Sequence, residues 1–348
     1  MVDGDFQMVY YRTDVLSSKG LQPPKTWEEY LDVASKIHGE DMNGDGEGDF
    51  GSCIFKKRNA QSYFAIQTFA APIVQTQGTA QGFHFDNSNM KPIINNEGWK
   101  KAFELYKATG KYGPPDELNM DIGDTRALFK AGRCGLIVEW GDPGTLQLDD
   151  DAKSIRGKMY AISAVGSTEV LDRATGKLVP VSAATAPYAV DGINYAPFAA
   201  FGGWAGAVNK GADAKTKAAA YAFLSYMNQA AQSGIDVTIG ATGYNPYRTS
   251  QLASTDLWVK AGMPKALADN YLGAINGAIN NLNMASDMKI PGAQKYTSVV
   301  LDTELARYLA GEITVDEALA NIEEGWEEVT EDFGRDEQVA SQALALGL

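Results

Sequence analysis

Residues 3–37, DGDFQMVYYRTDVLSSKGLQPPKTWEEYLDVASKI, decide how the rest of the chain is read. Residues 6–11, Phe-Gln-Met-Val-Tyr-Tyr, are aromatic and β-branched enough to predict a strand. Gly20 breaks the chain after it, and Pro23-Pro24 keeps the backbone extended. Thr26 stands where an N-cap belongs, with Glu29 three positions on to complete a capping box, so the pattern predicts a helix over residues 27–37. A strand, a turn and a capped helix in this order suit an α/β protein.

Working outward, residues 40–51 read EDMNGDGEGDFG, with oxygen-bearing side chains at alternate positions around glycines. Asp41, Asn43, Asp45 and Asp49, with the backbone carbonyl of Glu47, follow the first part of an EF-hand-type loop and are the candidate calcium ligands. Ser52 stands where that loop would carry its bidentate Glu. A solvated Asp/Gly turn is the other reading of the same residues. Asn96 caps a helix whose Trp99, Ala102, Phe103 and Tyr106 form a core-facing stripe, with Gly110 at its end. A helix over 125–131 leads through Gly132-Arg133 into the apolar strand 134–139 and then Trp140-Gly141-Asp142-Pro143-Gly144. Residues 199–210, AAFGGWAGAVNK, predict a strand with a glycine pair, followed by an Ala-rich helix capped by Asp213. Residues 243–250, GYNPYRTS, form a proline turn with Arg248, and helices follow over 264–280, 295–310 and onward from Thr314 past Trp326.

Taken together these segments resemble the family 1 extracellular solute-binding proteins of ABC importers, the maltose-binding-protein type. The stretch 3–37, the Gly/Trp loop at 140–144, the Gly-Gly-Trp run at 202–204, and LAGEITVDEAL at 309–319 carry the resemblance in the expected order. It implies an α/β, periplasmic-binding-protein type II fold, two lobes joined at a hinge, with the first lobe incomplete. Residues 5–190 and 250–348 are expected to form the complete lobe and 195–245 part of the other, a preceding segment of the first lobe being absent. Apolar surface is then expected to stay exposed.

The resemblance further implies a carbohydrate-type ligand held between the lobes and delivered to an ABC permease. Tyr63, Trp140, Asp142, Gly203, Trp204 and Arg248 are the candidate ligand residues, since each lies in a segment that borders the cleft in the family. Trp140 and Trp204 beside glycines are the stacking candidates, Asp142 an acceptor for hydroxyls, and Arg248 a hydrogen-bond fork. Plain core packing is the other reading of both tryptophans. Calcium would be structural. Cys53 and Cys134 both fall on predicted strands of one lobe, so a disulfide is expected, with two buried free thiols the alternative. A monomer outside the cytoplasm, in the periplasm or beyond it, is expected, with the leader lost along with the preceding segment.

Composition is consistent with this and excludes other classes. The 348 residues are 45% hydrophobic and 21% charged, enough for two cores in an ordinary globular protein. A net charge of −14 with no basic run argues against nucleic acid or an anionic membrane as partner. The two histidines, His38 and His84, stand in unrelated segments, and no nucleophile elbow, phosphate loop or dinucleotide fingerprint occurs. Paired carboxylates of a glycan-acting enzyme remain an alternative, as does a calcium-stabilised sensor or interaction module of the same fold.

Overall fold

A computed structural model describes residues 1–200 and 202–348. The chain opens with β1 (Met8–Arg12), α1 (Thr13–Ser18), α2 (Trp27–Ile37), β2 (Phe50–Cys53), α3 (Ser62–Val74), α4 (Glu97–Thr109), α5 (Ile122–Lys130) and β3 (Cys134–Glu139). There follow α6 (Pro143–Leu146), β4 (Met159–Ile162), a hairpin of β5 (Glu169–Asp172) and β6 (Lys177–Pro180), and β7 (Phe198–Ala199). The remainder is helical apart from β8 (Ala285–Ser286): α7 (Ala214–Met227), α8 (Ala230–Asp236), α9 (Thr249–Leu252), α10 (Asp256–Lys260), α11 (Lys265–Ile279), α12 (Asp302–Ala310), α13 (Val315–Phe333) and α14 (Arg335–Leu346). The helical turns of Lys295–Leu301 just ahead of α12 are wound as a π-helix.

Helix boundaries follow from local chemistry. Thr26 Oγ1 accepts the Glu29 N–H at 3.2 Å, as the sequence predicts, but Glu29 Oε2 takes the N–H of Lys25 rather than of Thr26. Asn96 caps α4 by accepting from Gly98 and Trp99, Asp213 caps α7, and Thr314 with Glu317 makes a reciprocal box at α13. Gly110 does not end α4 in a left-handed turn. Its φ is −60°, and the chain tightens there into a short 3-10 turn.

The main sheet has the order β2-β3-β1-β4, with β1 antiparallel to both β3 and β4 and β2 parallel to β3. Side chains of successive strand residues point to opposite faces, and both faces here are covered. Val9, Leu136 and Val138 join a core with Trp27, Phe69, Trp99, Phe103 and Trp326, beneath α2, α3, α4 and α13. Met8, Tyr10 and Ile137 join a second core with Phe129, Trp258, Tyr271 and Ile275, beneath α5, α10 and α11. Burial on both sides explains the near-continuous apolar run of β3. Truncating Trp99 or Trp326, each fully buried, to Ala would cost about 3–5 kcal/mol.

One sequence expectation changes. Residues 199–210 were expected to form a strand, but only Phe198–Ala199 pairs, in parallel with β8; Phe201 lies outside the described residues. Gly202 and Gly203 have φ of +82° and +98°, a conformation that leaves the extended path. At Gly203 the reason is contact: a Cβ there would meet the Asp3 carbonyl oxygen at 2.0 Å. The apolar surface expected to stay exposed is present on α7, none of whose residues is buried, with Tyr221 70% and Phe223 62% exposed. Neighbouring Ile235 and Ile239 are exposed as well. Among the described residues no helix is long and apolar enough to cross a membrane.

Candidate functional site

The register of the sheet assembles the site. Met8 pairs with Glu139, so the chain entering β1 and the chain leaving β3 meet at one end of the sheet. Asp3 and Asp5 arrive there from one side, Glu139, Trp140 and Asp142 from the other. The C-terminal ends of strands in α/β sheets are where ligands are habitually held. Tyr10 fixes the crossing by donating its hydroxyl to the carbonyls of Trp140 and Gly141, both at 3.0 Å.

A cavity of about 460 Å³ opens at this point, walled by Asp3, Asp5, Gln61, Phe64, Arg126, Trp140, Asp142, Trp204 and Tyr244 among others. That volume suits a small solute. Trp140 is 5% exposed: its indole N–H donates to Gln61 Oε1 at 2.8 Å, and its ring meets Phe64 edge-on with centroids 5.2 Å apart. It is at once part of the core and part of the cavity wall. Trp204, 56% exposed, supplies the other indole. Its carbonyl accepts the Val2 N–H at 2.8 Å, which ties residues 202–204 to the chain's first residues.

Arg126, reaching over from α5, is the cation of the site. Its Nε donates to Glu139 Oε1 at 2.8 Å and its Nη2 to Asp142 Oδ2 at 2.7 Å. Asp142 is 4% exposed; its Oδ1 lies beside Asn245 but has no hydrogen-bond partner of good geometry among the described residues. Asp3 Oδ1 accepts the Asn245 N–H at 2.5 Å. Burial pushes the Asp5 carboxyl up to about 8, with Asp3, Asp142 and Glu139 adding to the rise and Arg126 opposing it. Burial likewise raises Asp3 to about 6 and Glu139 to about 7, and lifts Asp142 against the pull of Arg126.

Of the residues expected from the sequence, Trp140, Asp142 and Trp204 come together here, and Gly203 borders them through its contact with Asp3. Tyr63 and Arg248 do not line this cavity. Tyr63 lies against Phe64 with the ring planes tilted by 42°, and its hydroxyl is pushed up to about 12 by burial, then by Asp302 and Asp287. One step along α3 turns the chain by about 100°, and Phe64 is the residue that faces the cavity. Arg248 donates to the Asn228 carbonyl, lies over the Tyr247 ring and lines a separate hollow with Phe6 and Pro246. Arg126, Asp3, Asp5 and Glu139 were not foreseen. Arg126 was visible only as one base on a helix preceding the strand, without any sign of which way it pointed.

Two other expectations concern residues outside this cavity wall. Sγ atoms of Cys53 and Cys134 lie 2.13 Å apart in a disulfide that joins the parallel strands β2 and β3. In the acidic loop, the Asp41 carboxylate accepts from the backbone N–H groups of Gly44, Asp45 and Gly46. Asn43 Oδ1 accepts from Asp45 N–H, and Asp45 Oδ1 from Glu47 N–H. Asp49 turns inward instead, accepting from Met42 N–H and from Arg133 Nε at 2.8 Å, so a cation of the chain already occupies it. Glu47 also pairs with Arg133. Among the described residues no three acidic, histidine or cysteine side chains are grouped to hold a metal. The full ligand set expected for calcium is therefore not gathered.

A family model for bacterial extracellular solute-binding proteins matches residues 4–265. The chain belongs to that family. Solved structures of solute-binding proteins share its fold. One is an ABC transporter solute-binding protein of Agrobacterium radiobacter in complex with ribitol: 20% identity, TM-score 0.68, covering 94% of this chain and 70% of that one. Maltose-bound MalE3 of T. maritima matches at 19% identity and TM-score 0.69, over 94% and 71% of the two chains. The maltose/maltodextrin-binding domain of Bdellovibrio bacteriovorus, bound to maltotriose, matches at 15% identity and TM-score 0.60, over 95% and 72%. This solute-binding protein thus has the mixed α/β type II periplasmic-binding-protein fold.

Proposed function

We propose that this solute-binding protein captures a small sugar or polyol in the cavity at the β1–β3 end of the sheet and hands it to an ABC permease outside the cytoplasm. One observation carries the reading: two indoles, Trp140 and Trp204, flank Asp142 and Arg126 in a single cavity. Indole faces cover the C–H surfaces of a sugar ring, while carboxylate and guanidinium groups order its hydroxyls. Similar structures hold ribitol, maltose and maltotriose, which favours the same ligand class. Binding is a property of one chain, and a monomer is proposed.

Isothermal titration calorimetry with alditols, monosaccharides and maltodextrins tests the reading. A ligand from this panel should bind with 1:1 stoichiometry. Trp140→Ala should weaken it by about 1–3 kcal/mol, with the near-ultraviolet circular dichroism of the fold retained. If the variant unfolds and affinity per folded molecule is unchanged, Trp140 serves the core alone and the site is misplaced. Trp204→Ala, at an exposed position, supplies the second arm, since it removes an indole without opening the core.

A further inference from the structure

The cavity holds more acid than a neutral solute requires. Among the described residues Arg126 is the one basic residue in its wall, and that guanidinium is already shared between Glu139 and Asp142. Asp3 and Asp5 line the same wall and make no ion pair among the described residues. Asp142, almost wholly buried, lines the wall beside them, with its Oδ2 on Arg126 and Asn245 next to its carboxylate. We propose that the solute carries an alkylammonium group, as an amino sugar or amino alditol does, and that Asp3, Asp5 and Asp142 receive its charge; this rests on the solute-binding reading above.

The geometry separates this ligand from the other cations that an acidic wall attracts. A bare divalent ion needs several oxygens converging on one point at about 2.0–2.6 Å. These carboxylates are instead spread around a cavity of about 460 Å³, and no three acidic groups among the described residues are placed to hold a metal. Spread acceptors beside aromatic faces suit an organic ammonium, which takes hydrogen bonds on its N–H groups and cation–π attraction from Trp204 and Tyr244. A neutral alditol would satisfy acceptors through its hydroxyls but leave the carboxylates short of positive charge.

Protonation supplies the readout. Without a cation, Asp5 and Asp3 hold protons up to pH about 8 and about 6. The charged and titratable groups facing them are Glu139 and Asp142 from β3 and its following loop, Arg126 from α5, and the buried hydroxyl of Tyr271. An arriving ammonium favours the ionised carboxylates, so binding releases protons, and affinity rises with pH while the amine stays charged.

The experiment titrates the folded chain with two matched pairs, glucamine against glucitol and glucosamine against glucose. Calorimetry is run from pH about 6 to about 8 in buffers of different ionisation enthalpy. At least one amine should bind about ten-fold or more tightly than its parent, the scale of one charge-assisted hydrogen bond. For glucamine, whose alkylamine stays protonated like that of lysine, affinity should climb across the range, with protons released to the buffer. Asp5→Asn should bring the amine-to-parent ratio toward one and reduce the proton release. Parents that bind as tightly as their amines at every pH, or a neutral sugar that binds where both amines fail, overturn the charge inference and leave solute capture standing. Failure of these probes and of the whole neutral panel overturns both.

Discussion

Asp5 shows how much the protein's pH response rests on single residues. Its carboxyl is pushed up to about 8, by burial first and then by the neighbouring acids Asp3, Asp142 and Glu139. In the unfolded chain an aspartate titrates near about 3.9. Between these values the folded chain keeps a proton that the unfolded chain has released, so stability falls as pH rises from about 4 to about 8 and then levels off. Asp3 and Glu139, raised to about 6 and about 7, act in the same direction. Asp5→Asn removes the group with the highest value. The variant should melt at a higher temperature than the parent at pH about 8 and at the same temperature near pH 4. A shift of equal size at both pH values would assign the effect to packing instead. His84 works in the opposite sense. Burial in the aromatic core beside Phe83 and Trp326 drops it to about 3, so its contribution to stability is lost as pH falls from about 6.5 toward about 3.

At the scale of the element, the acidic loop between α2 and β2 is the place where a metal would act. The loop is already wired by its own hydrogen bonds, and Arg133 neutralises Asp49 and Glu47. We propose that calcium adds to this wiring through Asp41, Asn43 and Asp45, in place of the larger set that the spacing suggests. Calcium added to chelator-stripped protein should raise the melting temperature by a few degrees, and Asp41→Ala should abolish the rise. No rise in protein shown to be metal-free would mean that the hydrogen bonds suffice. The elements also show why the sequence is legible in some places and opaque in others. Caps at Thr26, Asn96, Asp213 and Thr314 depend on groups two or three residues away, so local spacing finds them. The cavity depends on Met8 lying opposite Glu139, a register set by packing on both faces of the sheet. Trp140 and Asp142 could be named because the family resemblance places their segment, the loop that leaves β3, at the cleft. Asp3, Asp5 and Arg126 could not, because nothing in their own neighbourhood records what the sheet brings to them. Tyr63 missed the wall by a single residue of helical phase.

At the scale of the molecule, stability is unevenly distributed. The sheet and its two cores hold the great majority of buried large side chains, whereas α7 buries none. Amide hydrogen exchange should therefore show α7 protected far less than β1 and β3, whose amides should exchange only on global unfolding. Equal protection of α7 and β3 would mean that the helix is packed in solution against something the chain's own contacts do not provide. Sedimentation at two concentrations would then show whether that is a second copy.

The central position of β1 also carries a consequence in time. Tyr10, in the first strand, donates its hydroxyl to a carbonyl at residue 140, and β1 pairs on both sides with strands that come long after it. During synthesis, at roughly 5–20 residues per second, β1 leaves the ribosome and waits on the order of ten seconds before its first partner appears. Throughout that interval both of the edges that β3 and β4 will cover stay open. Until β3 has been made, β1 is therefore without either of the strands it pairs with here, available to a holdase or an export machinery that requires unfolded polypeptide. Refolding from denaturant should likewise be slow, since closing so long a loop precedes any gain from the sheet.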